Sequence, residues 1–136
     1  MGRSITWAQR VLERATQPAA AIDAYLRARC GELPQHLRAV LLTRLGALAR
    51  KLGRRDLARE VFAELRQVMP ASYRPEFELA RLCERTDPGS AVAHLDAAIA
   101  KLEQSVAMAE RARARELGEL GRRRERLLRR LARALD

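Results

Sequence analysis

Aromatic side chains are scarce in this chain of 136 residues, at 4%, and none follows Phe77. Proteins that grip single-stranded nucleic acid stack its bases on such rings, so the C-terminal part of the chain lacks the means for that. Cysteine is limited to Cys30 and Cys83, and histidine to His36 and His94. Neither pair has the spacing of a zinc site, and the chain has no phosphate-cradling glycine loop and no nucleophile motif. Glu76, Glu78 and Glu84 share one short stretch without a base or metal ligand beside them, which suits solvated or salt-bridged carboxylates. These absences lead us to expect a protein that is not an enzyme, with no metal and no cofactor. No apolar run approaches the roughly 18 residues of a membrane span, and the opening MGRSITWAQR has no signal-peptide core. Both cysteines fall in helical apolar patterns, which predicts buried free thiols and a reducing, cytoplasmic setting.

What the chain does have is helix formers. Hydrophobic residues make up 48%, and Ala, Leu, Arg and Glu dominate, so the expected fold class is all-α. The length suits a single domain spanning residues 1–136. Basic residues outnumber acidic ones by 27 to 17, a net +10, and all but two of the basic residues are Arg. Ten of those arginines, against four acids, lie after residue 110, so the C-terminal stretch carries +6 and the rest only +4. A charge of this sign attracts acidic partners and repels basic ones.

Residues 39–70, AVLLTRLGALARKLGRRDLAREVFAELRQVMP, organise the rest. Leu41, Leu42, Leu45, Leu48, Ala49 and Leu52 recur at offsets of three and four, one stripe of a helix. Gly53 is suited to the left-handed conformation that ends helices. Asp56 is placed to cap the next helix, which would bury Leu57, Ala58, Val61, Phe62, Leu65 and Val68 before Pro70 stops it. Leu42, Leu45-Gly46, Gly53, Ala58, Phe62, Leu65 and Pro70 together resemble the tetratricopeptide repeat, with Ala49 in place of the usual aromatic. Gly46 and Ala58 are small where two such helices would approach most closely, and Leu42, Leu45 and Phe62 would fill the space beside them. One repeat cannot bury its own apolar face, so neighbours of the same kind are required.

Both flanks supply candidates. A helix over 4–16 carries Ile5, Ala8, Val11, Leu12 and Ala15, and a second from about Ala19 to Cys30 would bury Ile22, Tyr25, Leu26 and the stem of Arg29. Ala21, Tyr25, Ala28 and Pro34 echo Ala58, Phe62, Leu65 and Pro70, so 4–34 reads as a degenerate capping repeat around the central repeat at 37–70. A third repeat spans 73–100, with Pro75 near its first helix start, a turn at 86–90, and Ala91, Leu95 and Ala98 on its second helix. The resemblance implies a right-handed α-α superhelix of about three hairpins. Residues 101–136 form a long, basic C-terminal helical extension. Its seam, Leu95, Ile99, Leu102, Val106 and Ala109, degrades at Arg113 and Arg124, and Gly118 and Gly121 predict a bend or break near 115–121. Beyond it Leu127, Leu128, Leu131 and Leu135 form an apolar edge.

Residues from His36 onward, notably RLGALARKLGRRDLAREVF and RRRERLLRRLARAL, are also similar to the C-terminal helical region of bacterial RNase H-like exonucleases that carry tetratricopeptide repeats. The nuclease carboxylates of that family have no counterpart among Glu13, Asp23 and Glu32, so this likeness implies an accessory module alone.

The leading functional expectation is a scaffold or adaptor that binds a partner peptide or helix, acidic in character, in a groove lined by the first helix of each repeat. Helical offset places Thr43, Arg44, Ala47, Arg50 and Lys51 there, followed by Arg74, Phe77, Glu78, Arg81 and Arg85. Arg can hold a carboxylate through two parallel hydrogen bonds. The alternative is nucleic-acid phosphate binding by Arg122, Arg123, Arg126, Arg129, Arg130 and Arg133, alongside a nuclease or other enzyme. The terminal helix also offers a seam for a homodimer.

Overall fold

The computed structural model describes residues 18–135, and the helix expected over 4–16 lies outside them. The described residues are all-helical. In chain order they form α1 (Pro18–Arg29), α2 (Gln35–Lys51), α3 (Arg55–Val68), α4 (Arg74–Cys83), α5 (Pro88–Glu103) and α6 (Glu110–Leu135). The chain divides into two compact units, one ending at Met69 and the other beginning at Pro70.

In the first unit α2 packs on both α1 and α3. The buried face of α2 is Leu41, Leu42, Leu45, Gly46 and Ala49, and that of α3 is Ala58, Val61, Phe62 and Leu65. Ala21, Ile22, Tyr25 and Ala28 complete the core from α1, while Leu26 is half-buried. The tightest point is Gly46, where an added Cβ would lie 2.5 Å from Cζ of the Phe62 ring. Phe62 is itself buried, so the absence of a side chain at residue 46 is what lets the ring lie against the α2 backbone.

The connection from α2 to α3 is closed by backbone hydrogen bonds. Gly53 adopts φ 76°, its N–H donates to Arg50 O at 3.1 Å, and Arg54 N–H donates to Ala49 O at 2.8 Å. This pair of hydrogen bonds across a left-handed glycine satisfies carbonyls that the helix end would otherwise leave open. Leu52, expected on the buried stripe, is the C-terminal cap of α2 and is 42% exposed. Asp56 does not cap α3: the helix starts one residue before it, Arg54 occupies the cap position, and no side chain caps the end. Cys30 also departs from expectation, because α1 ends at Arg29 and leaves the thiol exposed in the following turn, while Cys83 is buried. Arg29 instead reaches α3, donating to Glu64 Oε2 at 2.7 Å and to Glu60 Oε1 at 3.1 Å.

In the second unit α5 packs between α4 and α6. Tyr73, Ala80, Cys83, Ala91, Leu95, Ala98 and Leu102 form a core that Leu120 and Leu127 of α6 complete. The turn expected at 86–90 is shorter than its pattern suggested, because α5 already begins at Pro88. Asp87 caps it: its carboxylate accepts from Ser90 N–H at 3.1 Å and from Ser90 Oγ at 2.6 Å. Those bonds hold the Asp87 carboxyl below its ordinary pKa, the side-chain bond to Ser90 being the larger cause and the backbone bond the second.

The predicted bend or break near 115–121 is not a break: α6 is continuous from Glu110 to Leu135. The break falls earlier, at residues 104–109, where the chain turns back so that α6 can lie on α5. Val106, expected on the seam, is 97% exposed in this turn. Two helical glycines cost about 1 kcal/mol each relative to Ala, but one buried Leu gains about 1.5–3 kcal/mol. Leu120 and Leu127 therefore outweigh Gly118 and Gly121, and the helix runs through.

Two glycine substitutions should have opposite signs. Gly121→Ala meets no atom within 4 Å and should stabilise the chain by about 1 kcal/mol through helix propensity. Gly46→Ala gains the same propensity but drives its methyl into the Phe62 ring, at a cost of about 1–3 kcal/mol, and should lower the urea midpoint. If both variants moved the midpoint upward, the close contact of Gly46 with Phe62 would be wrong.

A pH test isolates the cap. A folded-state pKa below the unfolded value means that Asp87 contributes its stability above the ordinary carboxylate range and loses it as pH falls through the lowered folded pKa. Asp87→Asn keeps an acceptor for Ser90 N–H but cannot titrate, so its melting temperature should fall less than that of the parent at acid pH. Parallel acid limbs in the two melting profiles would contradict this role.

Candidate functional site

The outward face of α2 consists of His36, Val40, Thr43, Arg44, Ala47 and Lys51, all exposed, with Arg50 half-buried beside them. The residues expected to line the first half of a groove are thus brought to one helix face. Thr43 Oγ1 donates back to Ala39 O at 2.7 Å, which fixes its rotamer along the helix. His36, Ala39, Val40, Thr43, Arg44 and Met69 line a depression of about 430 Å³. Its apolar members are open to solvent, Val40 at 44% and Met69 at 38%. No acidic residue occurs anywhere in α2, whereas Arg38, Arg44, Arg50 and Lys51 supply four cations. Arg38 is drawn to Glu64 Oε1 at 3.7 Å. The Arg44 charge also acts on Tyr25, whose phenol pKa is raised by burial and lowered in part by that guanidinium.

The second half of the expected groove has a different character. Arg74, Phe77, Glu78 and Arg81 lie on α4 and Arg85 in the turn after it, all in the second unit. Phe77 is half-buried between the guanidinium carbons of Arg81 and Arg123, which lie 5.6 Å and 5.4 Å from its ring centroid. Arg81 also approaches Glu78 Oε1 at 3.6 Å, and Arg74 stands 5.5 Å from the ring of Tyr73. Arg74 and Arg81 are thus engaged within their own unit.

The arginines of α6 fall into two groups. Arg123 donates to Glu84 Oε1 at 2.7 Å, Arg124 to Asp96 Oδ1 at 2.5 Å, and Arg130 to Glu84 O at 3.3 Å. Arg113 donates to Ser105 O at 2.9 Å, closing the turn between α5 and α6. Arg113 and Arg124 interrupt the apolar seam in sequence, and each finds an acceptor, Ser105 O in the preceding turn for the first and Asp96 on α5 for the second. Tyr73 adds a further tie, its hydroxyl donating to Glu116 Oε2 at 3.2 Å. Burial raises the Tyr73 pKa; Glu116 adds to that shift and Arg74 opposes it. The remaining arginines, Arg111, Arg115, Arg122, Arg126, Arg129 and Arg133, are exposed. Of the proposed phosphate-binding set, Arg123 and Arg130 are thus in contact with Glu84, and Arg122, Arg126, Arg129 and Arg133 face outward.

One polar cluster was hidden in the sequence. Glu76 is only 5% exposed, with His94 Nδ1 3.0 Å from its Oε2 and Lys101 Nζ 3.4 Å from its Oε1. Its partners stand 18 and 25 residues away, but His94 and Lys101 are seven residues apart, which puts them on one face of α5. That shared face was the available signal. The buried carboxylate thus ties α4 to α5 through both partners. Among the described residues no group of three or more His, Cys, Asp and Glu side chains could hold a metal ion, and no helix is long and apolar enough to cross a membrane.

Fold and surface together define an all-helical protein whose exposed chemistry is cationic. Neither models of known protein families nor curated proteins give a match to the chain.

Proposed function

We propose that this protein is a non-catalytic interaction module that receives an acidic peptide or helix of a partner protein on the outward face of α2. The observation that carries the reading is the union, on one helix that contains no acidic residue, of an apolar depression with the exposed cations Arg44 and Lys51. Val40 and Met69 offer an anchor site for one or two apolar side chains, and Arg44 and Lys51 stand where carboxylates flanking that anchor would lie. Binding surfaces draw most of their free energy from such a desolvated anchor, while surrounding charges select the partner and speed its approach. The pattern of small and large residues on α2 and α3, with the glycine turn between them, supports a tetratricopeptide-like reading in which α2 is the inner helix of its repeat. On that reading α4 and α5 form a repeat of their own, and the protein serves as a scaffold or adaptor.

A peptide-display selection against the intact protein should enrich sequences that combine Asp or Glu with one or two large apolar residues. Fluorescence polarisation of the selected peptides should show affinity falling at least tenfold for Arg44→Glu with Lys51→Glu, with helicity unchanged. Selected peptides without acidic enrichment, or binding that survives the double reversal, would exclude α2 as the site.

A further inference from the structure

The six outward arginines of α6 are not scattered. Arg111, Arg115, Arg122, Arg126, Arg129 and Arg133 follow one another in steps of four, seven, four, three and four. At 3.6 residues per turn these positions fall within an arc of about 60°, and at 1.5 Å per residue the row is about 33 Å long. Leu120 and Leu127, buried against α5, lie on the opposite side of the helix, so packing of the apolar face holds the row outward. Arg111, Arg115, Arg126 and Arg133 form no ion pair among the described residues. Arg122 and Arg129 meet Glu119 at 3.1 Å and Glu125 at 3.6 Å, with both partners of each pair largely exposed. Pairs of that kind are weak and open readily to a stronger anion.

We infer that this row is a binding site for the phosphate backbone of double-stranded nucleic acid, independent of base sequence. It is a second site, separate from the α2 face proposed for a protein partner. Three observations select this ligand. The arc holding the row contains no apolar side chain larger than Ala, so a protein docked there would find no core to desolvate, and stable protein interfaces require one. Phosphate binding needs none, because its free energy comes from release of condensed counterions. The helix has no aromatic residue, which removes the stacking that single strands require. A row of guanidiniums held on one continuous helix matches a stiff, regularly charged rod, and Arg can hold phosphate oxygens in bidentate pairs. With no side chain placed to read base edges, the contacts would position the duplex without specifying its sequence.

The test is fluorescence anisotropy of labelled 24-base-pair DNA and RNA duplexes with the full chain, between 50 and 200 mM salt. Six phosphate contacts give a log–log salt slope of about −5, so affinity for a duplex should fall about a thousandfold over that range. The triple variant Arg115→Ala, Arg126→Ala, Arg133→Ala should reduce the slope by about three. The corresponding triple Lys variant should keep the parental slope. Arg54→Ala, Arg55→Ala, Arg59→Ala removes the same net charge from exposed positions elsewhere and should leave the slope intact. Binding to either duplex with this pattern supports the site, and a preference between them identifies the nucleic acid. Absence of duplex binding at 50 mM salt would overturn the inference, as would equal losses for the two Ala triples. Tighter binding to poly-glutamate than to either duplex would assign the row to an acidic protein and also overturn it.

Discussion

Burial of Leu120 and Leu127 against Leu95, Ala98 and Leu102 is the constraint on which the second unit depends. Once these two leucines face α5, the rotation of α6 about its own axis is fixed, and with it the direction of every other side chain on the helix. Arg113, Arg123, Arg124 and Arg130 then fall beside acceptors on the facing chain, while the remaining six arginines are turned to solvent. The polar arrangement is thus a consequence of the apolar one. A stretch that reads as a basic tail in sequence is, in three dimensions, a core helix with one charged side.

The first unit is governed by an equally local condition, the missing side chain at Gly46. Because the Phe62 ring lies against that backbone, α2 and α3 approach closely, and the opposite face of α2 is left outward. Arg44, Lys51 and the apolar floor at Val40 gain their accessibility from this packing. In both units, one face of a helix is committed to the core so that the other presents cations in a defined order. The two faces nonetheless suit different ligands: that of α2 combines charge with an apolar depression, whereas that of α6 is charge alone.

Much of the fold is legible in the sequence wherever adjacent residues decide the outcome. The stripe of α2 as far as Ala49, that of α3 from Ala58 to Leu65, the left-handed Gly53 and the buried Ile22 and Tyr25 follow from spacing and backbone preference, and the structure has them. What sequence reasoning missed depends on distant partners. Gly118 and Gly121 look like a break because local propensity disfavours them, but leucines packed on α5 overrule it. The actual turn at 104–109 contains neither Gly nor Pro, and it is closed by Arg113 from the helix that follows. For Glu76, read as solvated or salt-bridged, the partners could not be named, because His94 and Lys101 approach it only after α4 and α5 pack. The outward residues of α2 could be placed by helical offset. The division of the α6 arginines could not, since it depends on which acids α5 and the turn before it bring near.

The account rests on α6 being part of the fold, and truncation after Ala109 tests that most directly. Removing α6 uncovers Leu95, Ala98 and Leu102 and forfeits two leucines worth about 1.5–3 kcal/mol each. The thermal melt of the shortened chain, followed by circular dichroism and by binding of a hydrophobic dye, should show a lowered or broadened transition with dye bound below it. A shortened chain that melts at the temperature of the intact protein and binds no dye would contradict the account.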